Sequence, residues 1–151
     1  MDGVLRPKPG SEPFKYAPLD HRKASLRLIR VLRTTSPEGY IQCEICHALI
    51  DDSYICLSYV WGEDGYGYTV ILNNKPIQVG SNLHGFLARA RQKERLLQGW
   101  LWIDALCIDQ TNVGERNHQV QQMGLIFSRA KEVISWFGES KKIARNLERA
   151  L

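Results

Sequence analysis

Polar side chains of the kind that bind ligands stand beside two apolar runs of the sequence. The run 100–108 and the residues after it contain five of them, namely Asp104, Asp109, Gln110, Glu115 and Arg116. The run 54–60 ends beside three more, namely Ser58, Trp61 and Gly62. Carboxylates are seldom fully buried without a partner, so a carboxylate inside an apolar run needs one. These residues therefore form either a ligand site or a buried network of ion pairs.

Structural roles would explain several of these side chains without any ligand. Glu115 can reach back to cap the helix that begins beside it. Arg116 can pair with Asp104 or Asp109, and Gln119 is expected to be a solvated helix residue. At this point the sequence leaves both interpretations open, for Glu115 above all.

A second motif, Cys43-Glu44-Ile45-Cys46-His47, matches the spacing of covalent haem attachment. We expect no haem, because the motif lies in a predicted strand and no secretory signal precedes it. A zinc site needs four ligands, and the other thiols, Cys56 and Cys107, lie inside buried strand patterns. Strand residues three apart point to opposite faces, so Cys43 and Cys46 are not expected to chelate one ion or form a disulfide. We therefore predict free thiols, no metal and no required cofactor.

The composition excludes several classes of protein. The chain has 151 residues, of which 44% are hydrophobic and 24% charged, as is typical of one globular domain. The net charge of +4 is spread over loose, interrupted clusters, so no nucleic-acid partner is expected. No apolar run reaches the roughly 18 residues that span a membrane, so no membrane partner is expected either. The free thiols and the lack of a visible signal peptide predict a cytoplasmic protein.

The elements that must position the polar residues alternate between strands and helices. Apolar runs at 54–60, 100–108 and 133–137 predict buried parallel strands, and 26–32 with 40–45 and 69–72 with 76–79 predict antiparallel hairpins. A helix over 83–90 would be capped by Ser81 or Asn82. A second helix would begin at a capping box, Asn112-Val113-Gly114-Glu115, and bury Val120, Met123, Phe127 and Ala130. This order predicts an α/β fold with a parallel sheet flanked by helices.

The parallel sheet also predicts where the polar residues meet. Loops that follow neighbouring parallel strands open at the same edge, so the two groups of polar residues should converge there. Residues 1–18 are rich in proline, glycine and charge and are predicted to form an N-terminal arm, with the domain at 19–151. The final stretch, 141–151, has an apolar helical stripe and stops in mid-pattern, so we expect the chain to be part of a larger protein.

Several blocks of the sequence resemble the fungal heterokaryon incompatibility (HET) domain in their order. They are LSYVWG at 57–62, LWIDALCIDQ at 101–110, Glu115-Arg116 with Gln119-Val120 and Met123, Ile126-Phe127-Ser128, Ala130, Val133, and WFG at 136–138. The resemblance covers about residues 16–138. Asp109 and Phe137 depart from it, since the family often has Asn and Leu there. The resemblance implies an effector of nonself recognition that triggers programmed cell death after fungal cells fuse.

HET domains are also thought to be distant relatives of the Toll/interleukin-1 receptor (TIR) domain, which implies a TIR/flavodoxin-like sheet. Many TIR domains cleave NAD with a glutamate near the carboxyl edge of the sheet, so the resemblance implies NAD as a substrate. By position that glutamate would be Glu139 or Glu148, with Glu115 as the alternative inside the family's own block. A competing interpretation is a scaffold that self-associates or binds other domains of the same protein, with Tyr66 and Tyr68 in the interface.

Overall fold

The computed structural model describes residues 12–60, 67–97 and 99–138. The strands are β1 (Ser25–Val31), β2 (Ile41–Leu49), β3 (Ile55–Tyr59), β4 (Tyr68–Leu72), β5 (Lys75–Val79), β6 (Leu101–Ile103) and β7 (Glu132–Trp136). The helices are α1 (Ser81–Arg91), α2 (Glu94–Leu97), α3 (Asp104–Cys107) and α4 (Val113–Arg129). The predicted helix at 141–151 lies outside the described residues.

All seven strands join one mixed sheet in the order β5-β4-β2-β1-β6-β3-β7. β3 lies between β6 and β7 and is parallel to both, which confirms the predicted parallel core. β1 pairs antiparallel with β2, and β4 with β5, as the two predicted hairpins require. The α/β fold class is therefore confirmed, with antiparallel strands on the amino-terminal side, while the likeness to the TIR fold stays a prediction.

The two hairpins differ in their connections, a two-residue turn between β4 and β5 and the longer segment 32–40 between β1 and β2. Asn73 and Asn74 join β4 to β5 with φ angles of 48° and 68°, the left-handed conformation that a two-residue hairpin turn requires. Asparagine accepts this conformation more readily than most residues do. Gly39, with φ of 91°, ends the connection between β1 and β2, where its amide donates to the carbonyl of Ser36. The turn chemistry thus sets the register of the hairpin formed by β4 and β5.

Helices cover both faces of the parallel core. Phe86 of α1 packs edge-to-face on Trp136 of β7. On β3, the Tyr54 hydroxyl just before the strand and the Cys56 thiol within it both donate to the carbonyl of Ile126 in α4. Trp136 pairs in register with Tyr59, which lies three residues after Cys56. Side chains alternate between the two faces of a strand, so Tyr59 and Cys56 point to opposite faces. α1 and α4 therefore pack on opposite sides of β3.

The run 100–108 differs from the prediction of one long strand. β6 ends at Ile103, and Asp104 begins the four-residue helix α3. A continuing strand would put Asp104 and Leu106 on the same face. The helical turn instead leaves Asp104 and Ala105 half-exposed, while Leu106 and Cys107 are buried. The prediction of a carboxylate inside a buried strand was therefore wrong, because the chain turns at that residue.

Both long helices also differ from the predictions in detail. The N-cap of α1 is Gly80, without a side-chain cap, so neither Ser81 nor Asn82 takes that place. In α4 the buried residues are Glu115, Gln119 and Ile126, whereas Val120 is 54% exposed. Met123, Phe127 and Ala130 of the predicted stripe do pack against the core, so the prediction was wrong only for Val120 and for the two buried polar residues, which find partners inside the fold.

Candidate functional site

The carboxyl edge of the parallel core carries part of the predicted site. Ile103 pairs in register with Leu57, so Asp104 and Ser58 follow at the same level on neighbouring strands. Ser58 is exposed and Asp104 is half-exposed. The sheet thus brings these two side chains to one edge, as predicted. Trp61, Gly62, Glu139 and Glu148 lie outside the described residues.

The loop after α3 is held by its own hydrogen bonds. The Gln110 side chain donates from Nε2 to the carbonyl of Asp104 over 2.9 Å. The Asp109 carboxylate accepts from the amide and the hydroxyl of Thr111, at 3.1 and 2.7 Å. Both side chains are only half-buried. Asp109 and Gln110 therefore stabilise the turn that leads from α3 to α4.

Glu115 is enclosed beneath the sheet edge, with 1% of its surface exposed. Its carboxylate accepts two hydrogen bonds from Arg27, with Oε2 at 2.7 Å from Nη1 and Oε1 at 2.6 Å from Nη2. Oε2 also accepts from the amide of Asp109 at 2.5 Å. Arg27 is 2% exposed. A bidentate pair of this kind is the strongest geometry that a carboxylate and a guanidinium adopt.

Arg27 joins four parts of the chain. Besides Glu115 of α4, it donates from Nη1 to the carbonyl of Cys107 in α3 at 3.0 Å and from Nη2 to the carbonyl of Ala17 at 2.8 Å. Its guanidinium lies 4.7 Å from the centre of the Tyr16 ring, a cation–π contact. The Tyr16 hydroxyl donates to the carbonyl of Leu106, and burial raises the pKa of this tyrosine. Arg27 thereby ties β1, α3, α4 and the segment before β1 together.

The start of α4 places Glu115 for this contact. The Asn112 side chain caps the helix by accepting from the amide of Glu115 at 3.0 Å, which confirms half of the predicted capping box. The Glu115 carboxylate turns to Arg27 instead of back to Asn112. One turn later, Gln119 is fully buried and donates to the carbonyl of Ser25, so the prediction of a solvated residue was wrong. Arg116 is exposed and makes no ion pair with a described carboxylate.

Two residues that organise the site were missed as site residues by the sequence reasoning. Arg27 was not considered as a site residue, although its position in an otherwise apolar strand was a usable signal. Asn82 donates from Nδ2 to the carbonyl of Val60 after β3, and its own carbonyl accepts from the indole of Trp136 in β7. Asn82 thus connects the carboxyl ends of two parallel strands, a role that its place in a helix did not reveal.

The cysteine motif is split between the inside and the outside of the fold. Cys43 is buried and Cys46 exposed, as the strand spacing predicted. Burial raises the pKa of Cys43, Cys56 and Cys107 to about 12 each. Across the three described ranges, no group of three or more His, Cys, Asp or Glu side chains could hold a metal ion. The helices in the same ranges are too short or too polar to cross a membrane.

The chemical capacity of the site follows from this geometry. Glu115, the one described candidate for catalysis, has both carboxylate oxygens engaged and its surface closed to solvent. It therefore supports the loop and the helix in this structure rather than facing a substrate. At the carboxyl edge Ser58 is exposed and Asp104 half-exposed, and Arg116 is exposed on α4.

Comparison with known proteins supports the resemblance that the sequence blocks indicated. The profile of the heterokaryon incompatibility protein family matches residues 54–150, more than half of the chain. Heterokaryon incompatibility protein 6, OR allele, of Neurospora crassa is 34% identical over 97 residues, which cover 57% of this chain and 14% of that protein. The chain thus spans a small part of that relative. No solved structure matches. The chain belongs to the heterokaryon incompatibility (HET) family.

Proposed function

We propose that this chain is the HET effector module of a larger protein that acts in fungal heterokaryon incompatibility and cell death, and that it works by self-association rather than by chemistry at Glu115. Membership of the family and the similarity to the Neurospora crassa protein support the biological role. The ion pair between Glu115 and Arg27 supports the mode of action. This pair gives Glu115, the glutamate inside the family's own sequence block, a structural role.

The surface that supports self-association is the α4 side of the edge strand β7. Alternation along β7 buries Ile134 and Trp136 and exposes Val133 and Ser135. Val133 is 45% exposed, and Phe137, directly after the strand, is 57% exposed. β7 is also the last strand of the sheet, so its outer backbone groups have no partner strand among the described residues. A second copy of the chain, placed edge to edge, would satisfy both features.

The test of self-association introduces a negative charge on that surface and, as a control, the same charge at an exposed position elsewhere. Val133→Glu places a carboxylate on β7, and Val113→Glu places the same group on the first turn of α4, where Val113 is 61% exposed. We expect Val133→Glu to abolish dimers in light scattering and to abolish cell death on expression in the fungus. Val113→Glu should leave both unchanged, with thermal midpoints of the two variants alike. A monomeric wild type, or full killing by a monomeric Val133→Glu variant, would contradict the proposal.

Cleavage of NAD is the competing mechanism, and an assay for free nicotinamide separates the two. Self-association without catalysis predicts no nicotinamide from the assembled wild type. If the wild type releases nicotinamide and Glu115→Gln releases it equally well, the catalytic role would move to Glu139 or Glu148, the two other candidate glutamates. Release that Glu115→Gln abolishes in a stable, folded protein would show that Glu115 is catalytic and would overturn the proposal.

A further inference from the structure

We infer that the α4 side of β7 is an interaction surface for the chain's own segment 141–151, and that this segment competes there with a second copy of the chain. The competition rests on the self-association proposed above. The covering of the surface by the segment does not depend on it, because it requires only one chain.

Three apolar side chains with exposed surface line this side of the molecule and are called the apolar strip below. Val133 of β7 is 45% exposed, Phe137 after the strand is 57% exposed, and Leu125 of α4 is 43% exposed. Alternation along the strand points Val133 and Phe137 away from the face that buries Ile134 and Trp136. Grouped apolar side chains of this kind mark a surface that another apolar surface covers.

The packing of α4 places Leu125 beside β7. Ile126 is buried, and its carbonyl accepts hydrogen bonds from the β3 part of the sheet. Phe127 packs edge-to-face on Trp102 of β6, which lies on the other side of β3 from β7. Consecutive helix residues are turned by about 100° around the axis, so Leu125 lies on the flank of α4 that faces away from β6. Leu125 therefore borders the same strip as Val133.

The segment 141–151 carries a stripe that matches the strip in chemistry. Ile143, Leu147 and Leu151 recur every four residues, which places them on one face of a helix. The family profile continues to residue 150, so most of the segment belongs to the same domain as β7. A helix of this length is marginal in water by itself and gains its stability from packing of its apolar face. The stripe therefore needs a partner surface within the domain.

The length of the chain lets the segment reach the strip. Gly138, with φ of 104°, has the left-handed conformation that permits a sharp turn directly after β7. Residues 137–140 are a connection of ordinary length between a strand and a helix. A helix over 141–151 is about 16 Å long, and the five residues of β7 span about 17 Å. A helix that returns along β7 would therefore cover the strip from end to end.

A segment in this place would exclude a second copy, because both need the surface around Val133. If the segment occupies the strip in about nine of ten molecules, the apparent affinity for a second copy falls about tenfold for each copy that must open. Self-association would then respond to whatever displaces the segment.

Hydrogen exchange followed by mass spectrometry tests the covering, on the intact chain at a dilution at which it is monomeric. We expect the amides of 143–151 to exchange about tenfold more slowly in the wild type than in Val133→Glu. Val113→Glu adds the same charge at a position that is 61% exposed on the first turn of α4, and should keep the slow exchange. Free exchange in the wild type, or slow exchange that Val133→Glu leaves intact, would overturn the inference.

A dilution series in light scattering tests the competition. Leu147→Lys replaces the central side chain of the stripe and should lower the apparent dissociation constant of the dimer by at least about tenfold. Asn146→Lys adds the same charge one position away, outside the stripe, and should leave the constant unchanged. Dimers of equal strength in the wild type and Leu147→Lys would overturn the competition. If both stay monomeric while the segment exchanges slowly, the self-association is overturned, and the competition with it, whereas the covering of the strip is confirmed.

Discussion

Two groups of polar residues stand within a few positions of each other in the sequence and differ in what the fold does with them. The side chains of Asp109 and Gln110 stay half-exposed and bond only to residues nearby in the sequence, Thr111 and Asp104. Glu115 is closed to solvent and paired with Arg27 of β1, which lies 88 positions away. The loop residues shape one turn, whereas the buried pair joins separate elements. Polarity within a family's sequence block therefore does not by itself mark a ligand site.

The largest effect is expected from removing the charge of Glu115. Glu115→Gln leaves the Arg27 guanidinium buried without a counterion, which should lower the free energy of unfolding by about 3–5 kcal/mol. Urea denaturation followed by tryptophan fluorescence measures this loss. Arg116→Gln, one position along the same helix, removes a charge from an exposed residue and is the control, with a change below about 0.5 kcal/mol. Equal stability of the two variants would refute the structural role of Glu115.

A buried contact without charge should cost less than the ion pair. Tyr54→Phe removes the hydroxyl that donates to the carbonyl of Ile126 at 2.7 Å, and we expect a loss of about 1–2 kcal/mol in the free energy of unfolding. The Cys56 thiol still points to the same carbonyl, which limits the penalty. A loss as large as that of Glu115→Gln would mean that packing between β3 and α4, rather than charge, dominates this side of the sheet.

Among these contacts, the exposed hydrogen bonds of Asp109 should contribute least to the free energy of unfolding. Asp109→Ala removes the acceptor for the amide and hydroxyl of Thr111 but keeps the Asp109 amide that donates to Glu115. We expect a loss of about 0.5–1 kcal/mol, since the freed donors can bond to water. The same urea titration measures it. A loss above roughly 3 kcal/mol would place Asp109 within the buried network.

The smallest effect is a pH dependence that arises from His118, in the second turn of α4. Burial, and next the neighbouring His21, lowers the pKa of His118, while Glu115 opposes the shift. Protons therefore bind the unfolded chain more readily, so stability should fall as the pH drops from about 7 through the usual histidine range. His118→Phe keeps a ring on the stacked His21, whose centre lies 4.4 Å away, and should flatten this slope. Burial also lowers the pKa of His84, so part of the slope remains. An unchanged slope would contradict the assignment.

The sequence predicted the architecture better than the site. Apolar runs located β3 and β7, although β7 is an edge strand with Val133 exposed rather than a strand buried on both faces, and Asn112 marked the start of α4, because these signals are local. The helical turn at Asp104 was missed because a short apolar run reads equally well as strand or helix. The partner of Glu115 was missed for a different reason. The two residues meet only after β1 and α4 have packed, so the apolar strand around Arg27 indicates that it needs a buried partner but not which residue that partner is.

The coupling energy between Arg27 and Glu115 tests the central claim most directly. It requires the free energies of unfolding of the wild type, Arg27→Met, Glu115→Gln and the double variant. If the pair joins β1 to α4 as described, each single variant loses about 3–5 kcal/mol, and the double variant is at least as stable as the weaker single variant. The coupling energy should then exceed about 2 kcal/mol. Losses that simply add, to within about 0.5 kcal/mol, would show that the two residues act independently and would contradict the account.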